Sequence, residues 1–221
     1  MIFLRAFIYL SLITLGLMAG VIAFASAGVK INEQAIKTTA QQKYGIKGVQ
    51  NVQKWLDLMA NIKTQPEEQK LKEINQFWNR VALAGEDIDI WGVEDYWATP
   101  LETLGKAAAD CEDYVIGKYF SLIHLGVPAD KLRLIYVRAQ VGGASIAHMV
   151  LGYYSTPTAE PLLLDNLTGL IRPASQRPDL TPVFSFNSDG IYVSGKAPSS
   201  VDRISRWRGL LDKMRNEGFK P

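Results

Sequence analysis

Residues 110–139 read DCEDYVIGKYFSLIHLGVPADKLRLIYVRA, and within this stretch the chain changes its code. The first half predicts a helix that opens near Asp110 and runs to about Leu125, where Gly126 and Pro128 end it. Short apolar runs follow: Leu132 to Ala139, Ala147 to Tyr154, Pro161 to Leu167, Val183 to Phe186 and Ile191 to Ser194. These read as strands. Ser155-Thr156-Pro157-Thr158 and Asn187-Ser188-Asp189-Gly190 supply turn chemistry between neighbours, so the sheet is expected to be mostly antiparallel.

Upstream the spacing is helical. Val49, Val52, Leu56, Met59 and Ile62 form one apolar stripe; Leu71, Ile74, Phe77, Trp78 and Val81 form a second after a start at Thr64 to Glu67. Trp55 and Trp78 read as core residues. A last helix is expected from about Ser200 to Asn216, with Ile204, Trp207, Leu210, Leu211 and Met214 inward. Helices and strands are segregated, which makes the class α+β, a helical N-terminal half packed on a mostly antiparallel sheet.

With 48% hydrophobic and 21% charged residues in 221, the chain is neither a disordered tail, a collagen-like repeat nor a multi-span membrane protein. A net charge of +2 with both signs interspersed gives no field for nucleic acid, which is not an expected partner. One cysteine excludes an intramolecular disulfide, and two histidines are too few for an ordinary zinc site. From Ala6 to Ala27, after Arg5, no side chain is charged. This predicts a secretory signal peptide over residues 1–27, cut before Gly28, or an uncleaved anchor, since the stretch reaches the roughly 20 residues that span a bilayer. Either way residues 28–221 are expected to form one domain outside the cytoplasm.

Cys111 falls in the first turn of the predicted helix, where backbone N–H groups and the helix dipole favour a thiolate; the other reading is a small buried hydrophobe. His124 lies on the same helix, roughly 20 Å away at the helical rise, and reads as a helix-end residue. His148 is on a strand and Asp165 on the next. If they face each other, the turn centres between Thr156 and Pro157, and the carboxylate can orient the imidazole. Cys111, His148 and Asp165 are therefore the candidate catalytic set, with His148 accepting the thiol proton and returning it to the leaving amine.

Asp110, Glu112 and Asp113 would raise the thiol pKa. On a helical wheel they fall at about 0°, 200° and 300° against about 100° for Cys111, so they are expected to face away from it. Asn166 alternates to the face opposite Asp165. Asp110, Glu112, Asp113 and Asn166 thus form a candidate hard-cation site, for which calcium is the available ion; the alternative is a solvated acidic helix start. Trp91, Trp97 and Tyr114 are candidate oxyanion donors or groove walls, with burial as aromatic core the competing reading. Gly142-Gly143-Ala144-Ser145 reads as a loop before a strand and lacks the Gly-x-Ser-x-Gly of a serine hydrolase.

Trp97-Ala98-Thr99-Pro100-Leu101-Glu102, Asp110-Cys111-Glu112-Asp113-Tyr114, Ala147-His148-Met149-Val150-Leu151 and Leu164-Asp165-Asn166 resemble segments of the bacterial transglutaminase-like cysteine proteinases, over roughly residues 60 to 175. The resemblance implies a papain-like or transglutaminase-like fold, a triad at Cys111, His148 and Asp165, and calcium dependence through the acidic positions. It further implies a periplasmic enzyme that cuts the N-terminal region of a large surface adhesin at a small-residue, di-alanine type site. Release of the adhesin would disperse biofilm, and the periplasmic domain of an inner-membrane cyclic di-GMP receptor would sequester the enzyme. Acyl transfer to an amine and a non-enzymatic calcium-binding module remain the rival functions, because the triad itself does not choose between water and an amine.

Overall fold

The structure, a computed structural model, describes residues 28–193 and 195–220; the expected signal segment 1–27 and Ser194 lie outside the described residues. In chain order the elements are β1 (Lys30–Ile31), α1 (Glu33–Ile62), α2 (Glu67–Val81), β2 (Leu83–Ala84), α3 (Asp87–Trp91), α4 (Pro100–Lys106), β3 (Ala108–Ala109) and α5 (Cys111–His124). The strand-rich half holds β4 (Leu132–Val141), β5 (Ala144–Tyr153), β6 (Leu162–Leu164), β7 (Arg172–Pro173), β8 (Leu180–Phe186) and β9 (Ile191–Tyr192). The chain then closes with α6 (Ser205–Glu217) and β10 (Phe219–Lys220). The α+β class holds.

α1 starts well before its sequence stripe, capped by Asn32, whose side chain accepts from the Ala35 N–H at 3.1 Å, and is kinked at Gly45, where φ is +66°. α3 and α4 were not expected; α4 has a capping box between Thr99 and Glu102 with Pro100 in its first turn. α5 is the hub of the core, buried from Asp113 to Ile123. A side chain at Gly117 would stand 2.6 Å from the Trp78 ring, so only glycine lets α2 approach this closely. Ser121 Oγ accepts from the indoles of Trp55 and Trp78 at 2.8 and 2.9 Å and donates to the Gly117 carbonyl. Both buried tryptophans are thereby satisfied.

The main sheet has the order β7-β6-β5-β4-β8-β9 with every pair antiparallel. Gly142 and Gly143, at φ +59° and +86°, make the two-residue turn of the β4–β5 hairpin, a tighter role than a plain loop. α5 packs on one sheet face, against residues such as Leu134, Met149 and Leu151. Two small pairings complete the fold: β1 with β10, which ties the ends of the described chain together, and β2 parallel to β3, which sets residues 83–84 beside the approach to Cys111. Among the described residues no helix is long and apolar enough to cross a membrane.

Candidate active site

Cys111 is the first residue of α5, behind Asp110, whose carboxylate caps the helix by accepting from the Asp113 N–H at 3.3 Å. β6 stops at Leu164, opposite Leu151, so the outer edge of β5 from Ala144 to Val150 is left without a β6 partner. Cys111 comes in at this edge, where the Met149 N–H points at its sulfur. His148 is buried beside it and lines the same cleft, which has a volume of about 650 Å³.

His148 Nε2 lies 2.8 Å from Asp165 Oδ1, which leaves Nδ1 as the ring nitrogen for the cleft. The pair is not made by direct opposition. Leu151 pairs with Leu164 and Gly152 with Leu163, two residues out of the expected register, so Asp165 continues the hairpin opposite Val150 and reaches His148 diagonally on the same face. Asp165 is fully buried; Oδ1 also accepts from the Leu167 N–H at 3.0 Å, and Oδ2 stands 2.8 Å from Arg177 Nη1, an ion pair not aligned as a hydrogen bond. Burial alone would raise this carboxyl, but His148, the Leu167 N–H and Arg177 outweigh it and hold the pKa at about 2. Asn79 on α2 anchors the turn by donating to the Asp165 carbonyl at 2.8 Å. His124, at the far end of α5, has Nδ1 2.8 Å from the Val29 carbonyl.

The acids are placed differently from the wheel. Glu112 does not face away: its Oε2 accepts from the Cys111 thiol at 3.0 Å, because a side chain with two further rotatable bonds is not confined to the direction of its Cβ. Asp113 is fully buried with Oδ1 accepting from the Ala98 N–H at 2.7 Å, so it braces the segment before α4. Asn166 lines the cleft, its buried Oδ1 without a hydrogen-bond partner. The carboxylates that do converge are Asp87, Asp110 and Glu112, with ligand atoms within 4.8 Å of one another. Asp87 escaped the sequence reading because only the β2–β3 pairing brings α3 to the start of α5.

Burial, then the charges of Asp113, Glu112 and Asp87, push Asp110 up to about 10. Asp87 and Asp113 are raised chiefly by burial. Burial, followed by Glu112 and Asp110, also raises the Cys111 thiol. Three crowded carboxylates with a buried, partnerless Asp87 Oδ1 are a donor set that suits a hard cation. Asp87, Asp110 and Glu112 could hold such a cation, and its charge would offset theirs beside the thiol.

Of the aromatic candidates, Trp97 lines the cleft and stacks on Phe186 at 5.7 Å, 13° from parallel. Trp91 does not line it; its ring packs on Tyr96 at 4.6 Å under Lys106. Tyr114 is core, its hydroxyl donating to the Ala82 carbonyl at 2.9 Å, because the fourth residue of α5 faces β2 rather than the cleft. Tyr136 and Phe184 complete the aromatic wall; both sit in strands whose pairing alone aims them there. Arg177 had no sequence signal, lying at the end of a single 3-10 turn (Ala174–Gln176) after β7.

Residues 41–179 match the family described as bacterial transglutaminase-like cysteine proteinase BTLCP. Among solved structures, the chain is similar to Legionella pneumophila LapG in an EGTA-treated form, at 35% identity and a TM-score of 0.74, covering 83% of this chain and 98% of that one. The calcium-bound form of Legionella pneumophila LapG is similar at 37% identity and a TM-score of 0.72, over 83% and 99% of the two chains. A comparison with curated protein sequences returned no match. By the extent of the family match and the identity to LapG over nearly all of that protein's length, the chain belongs to the bacterial transglutaminase-like cysteine proteinases.

Proposed function

We propose that this protein is a periplasmic, calcium-dependent cysteine endopeptidase with Cys111 as nucleophile, His148 as general base and Asp165 as its orienting carboxylate. The observation that carries the reading is the 2.8 Å contact between His148 and Asp165 at the wall of the cleft that also holds Cys111. In the first half-reaction the thiol proton passes to His148 Nδ1 and the sulfur attacks the scissile carbonyl carbon. His148 then gives that proton to the departing amine, leaving a thioester on Cys111. Water, deprotonated by His148, then attacks the thioester carbonyl; the C–S bond breaks, the acid is released, and His148 returns the proton to the Cys111 thiolate. The N–H of Cys111, at the helix start, is the natural first donor to the oxyanion.

The substrate is a large surface adhesin, cut in its N-terminal region between small residues, with release of the adhesin and dispersal of biofilm as the outcome. The aromatic wall of Trp97, Tyr136 and Phe184 supports small residues at the scissile bond. The periplasmic domain of an inner-membrane cyclic di-GMP receptor is the inhibitory partner, acting over the same cleft. Incubation of the purified protein with the N-terminal segment of a co-encoded giant adhesin tests the activity, the substrate and the calcium dependence. Two fragments in calcium, none in chelator and none with Cys111→Ala are expected; cross-linked products in place of fragments would assign acyl transfer to an amine instead.

A further inference from the structure

We infer that the sheet carries a second binding site on the face away from α5, a docking groove for an acidic, apolar segment of a partner protein. Strand alternation places Ile135, Val137, Val150 and Leu163 there as an apolar cluster separate from the main core. The groove above them has a volume of about 520 Å³. Its lip is open: Val183 is 46% exposed and Pro182 beside it is exposed. A small molecule would remain wet on that side, whereas a polypeptide crossing the groove covers floor and lip together.

The charge of the groove selects the occupant. Its charged lining residues are Arg133, Arg177 and Lys196, with no acid among them. Arg177 is engaged by Asp165 and Asp179. Arg133 and Lys196 enter no ion pair among the described residues. The Arg133 guanidinium is held between two rings, 4.5 Å from the centre of Tyr154 and 4.2 Å from that of Tyr192. Its buried Nε has no hydrogen-bond partner. A guanidinium already held against two tyrosine rings keeps its free N–H groups available to a carboxylate, with little further ordering on binding. Apolar side chains on the floor and a carboxylate on Arg133 together define a segment that mixes Glu or Asp with Leu or Phe. The groove shares Arg177 with the candidate catalytic Asp165 but contains neither Cys111 nor His148.

The probe is a fluorescein-labelled, acetylated octapeptide alternating glutamate with leucine and phenylalanine, titrated with the purified protein and followed by anisotropy. Saturable binding is expected. It should weaken at least tenfold in Arg133→Gln, in Val183→Glu and when lysine replaces glutamate in the peptide, with Arg133→Lys in between. Val183→Glu changes an exposed side chain, so it keeps the test valid if Arg133→Gln perturbs folding. Absence of saturable binding, equal binding of the lysine peptide, or parent-like affinity in both variants would overturn the site.

Discussion

Arg177 holds the oxygen of Asp165 that His148 does not use: Nη1 lies 2.8 Å from Oδ2, while Oδ1 accepts from the imidazole. The other edge of the guanidinium is fixed by Asp179, at 3.0 Å through Nε and 2.7 Å through Nη2. Arg177→Met should therefore leave Oδ2 of Asp165 buried and without its counter-charge, while Oδ1 keeps His148 and the Leu167 N–H. Loss of one partner of a buried pair costs about 3–5 kcal/mol, and a misoriented Asp165 should lower kcat as well. Arg177→Lys keeps charge but not the fork and should fall between; kcat and thermal melts of both variants check this.

Cys111→Ala and His148→Ala should abolish cleavage with the fold retained. Asp165→Asn should cost on the order of 10⁴ in rate, the loss seen when an orienting carboxylate is removed from the best-studied triad. His124→Ala removes only the contact to the Val29 carbonyl, so full activity with a stability loss of about 1 kcal/mol is expected. Steady-state rates on one substrate read all four, and an inactive His124→Ala would displace His148 from its role.

Metal removal should act on both chemistry and stability. Asp87→Asn, Asp110→Asn and Glu112→Gln should each weaken calcium binding, measured by titration calorimetry, whereas Asp113→Asn should chiefly lower stability, since its carboxylate braces Ala98. Without the ion, Asp110, whose folded pKa lies near 10, is protonated in the native state and ionised in the unfolded chain at neutral pH. The native state binds the extra proton, so stability in chelator should fall as pH rises between about 4 and 10. In melts from pH 5 to 8 the expected slope is up to about 4 °C per pH unit in chelator, and flatter in calcium. Cys111 alkylation should also show a lower apparent thiol pKa in calcium, because a cation favours the thiolate that Glu112 and Asp110 oppose.

Enlarging the residues that flank the scissile bond from Ala to Leu should abolish cleavage, while charge changes distant from the cut should alter the rate only modestly. Trp97→Ala, which removes the ring stacked on Phe186, should widen tolerance at the same positions. A panel of substrate segments with single replacements, read by gel, separates these outcomes.

Gly117→Ala should destabilise the protein by about 1–3 kcal/mol, since the added methyl meets the Trp78 ring at 2.6 Å in a packed core. A denaturant melt with unchanged slope and a lower midpoint is the expected signature.

The residues of the candidate site were legible one by one. A lone cysteine opening a helix, a histidine on the second strand after it and an acid on the third are signals of local pattern, as are the turn residues and apolar stripes that define α2, α5, α6 and the strands. The shared face of His148 and Asp165 was legible too, because a register error of two residues preserves the alternation of side chains. Short elements without a periodic stripe, α3, α4 and the two-residue strands, were not.

By itself, then, the sequence determined the α+β class, the order of the long elements and the residue types available for chemistry, all of which follow from spacing along one chain. Only the tertiary structure decided which groups meet. The β2–β3 pairing brings Asp87 to Asp110 across a separation of 23 residues, and the 3-10 turn after β7 delivers Arg177 to Asp165. The flexible side chain of Glu112 turned it toward the thiol that its helical position points away from. Contacts between elements depend on pairing partners and on rotamers, and neither is written in the periodicity of a single strand or helix.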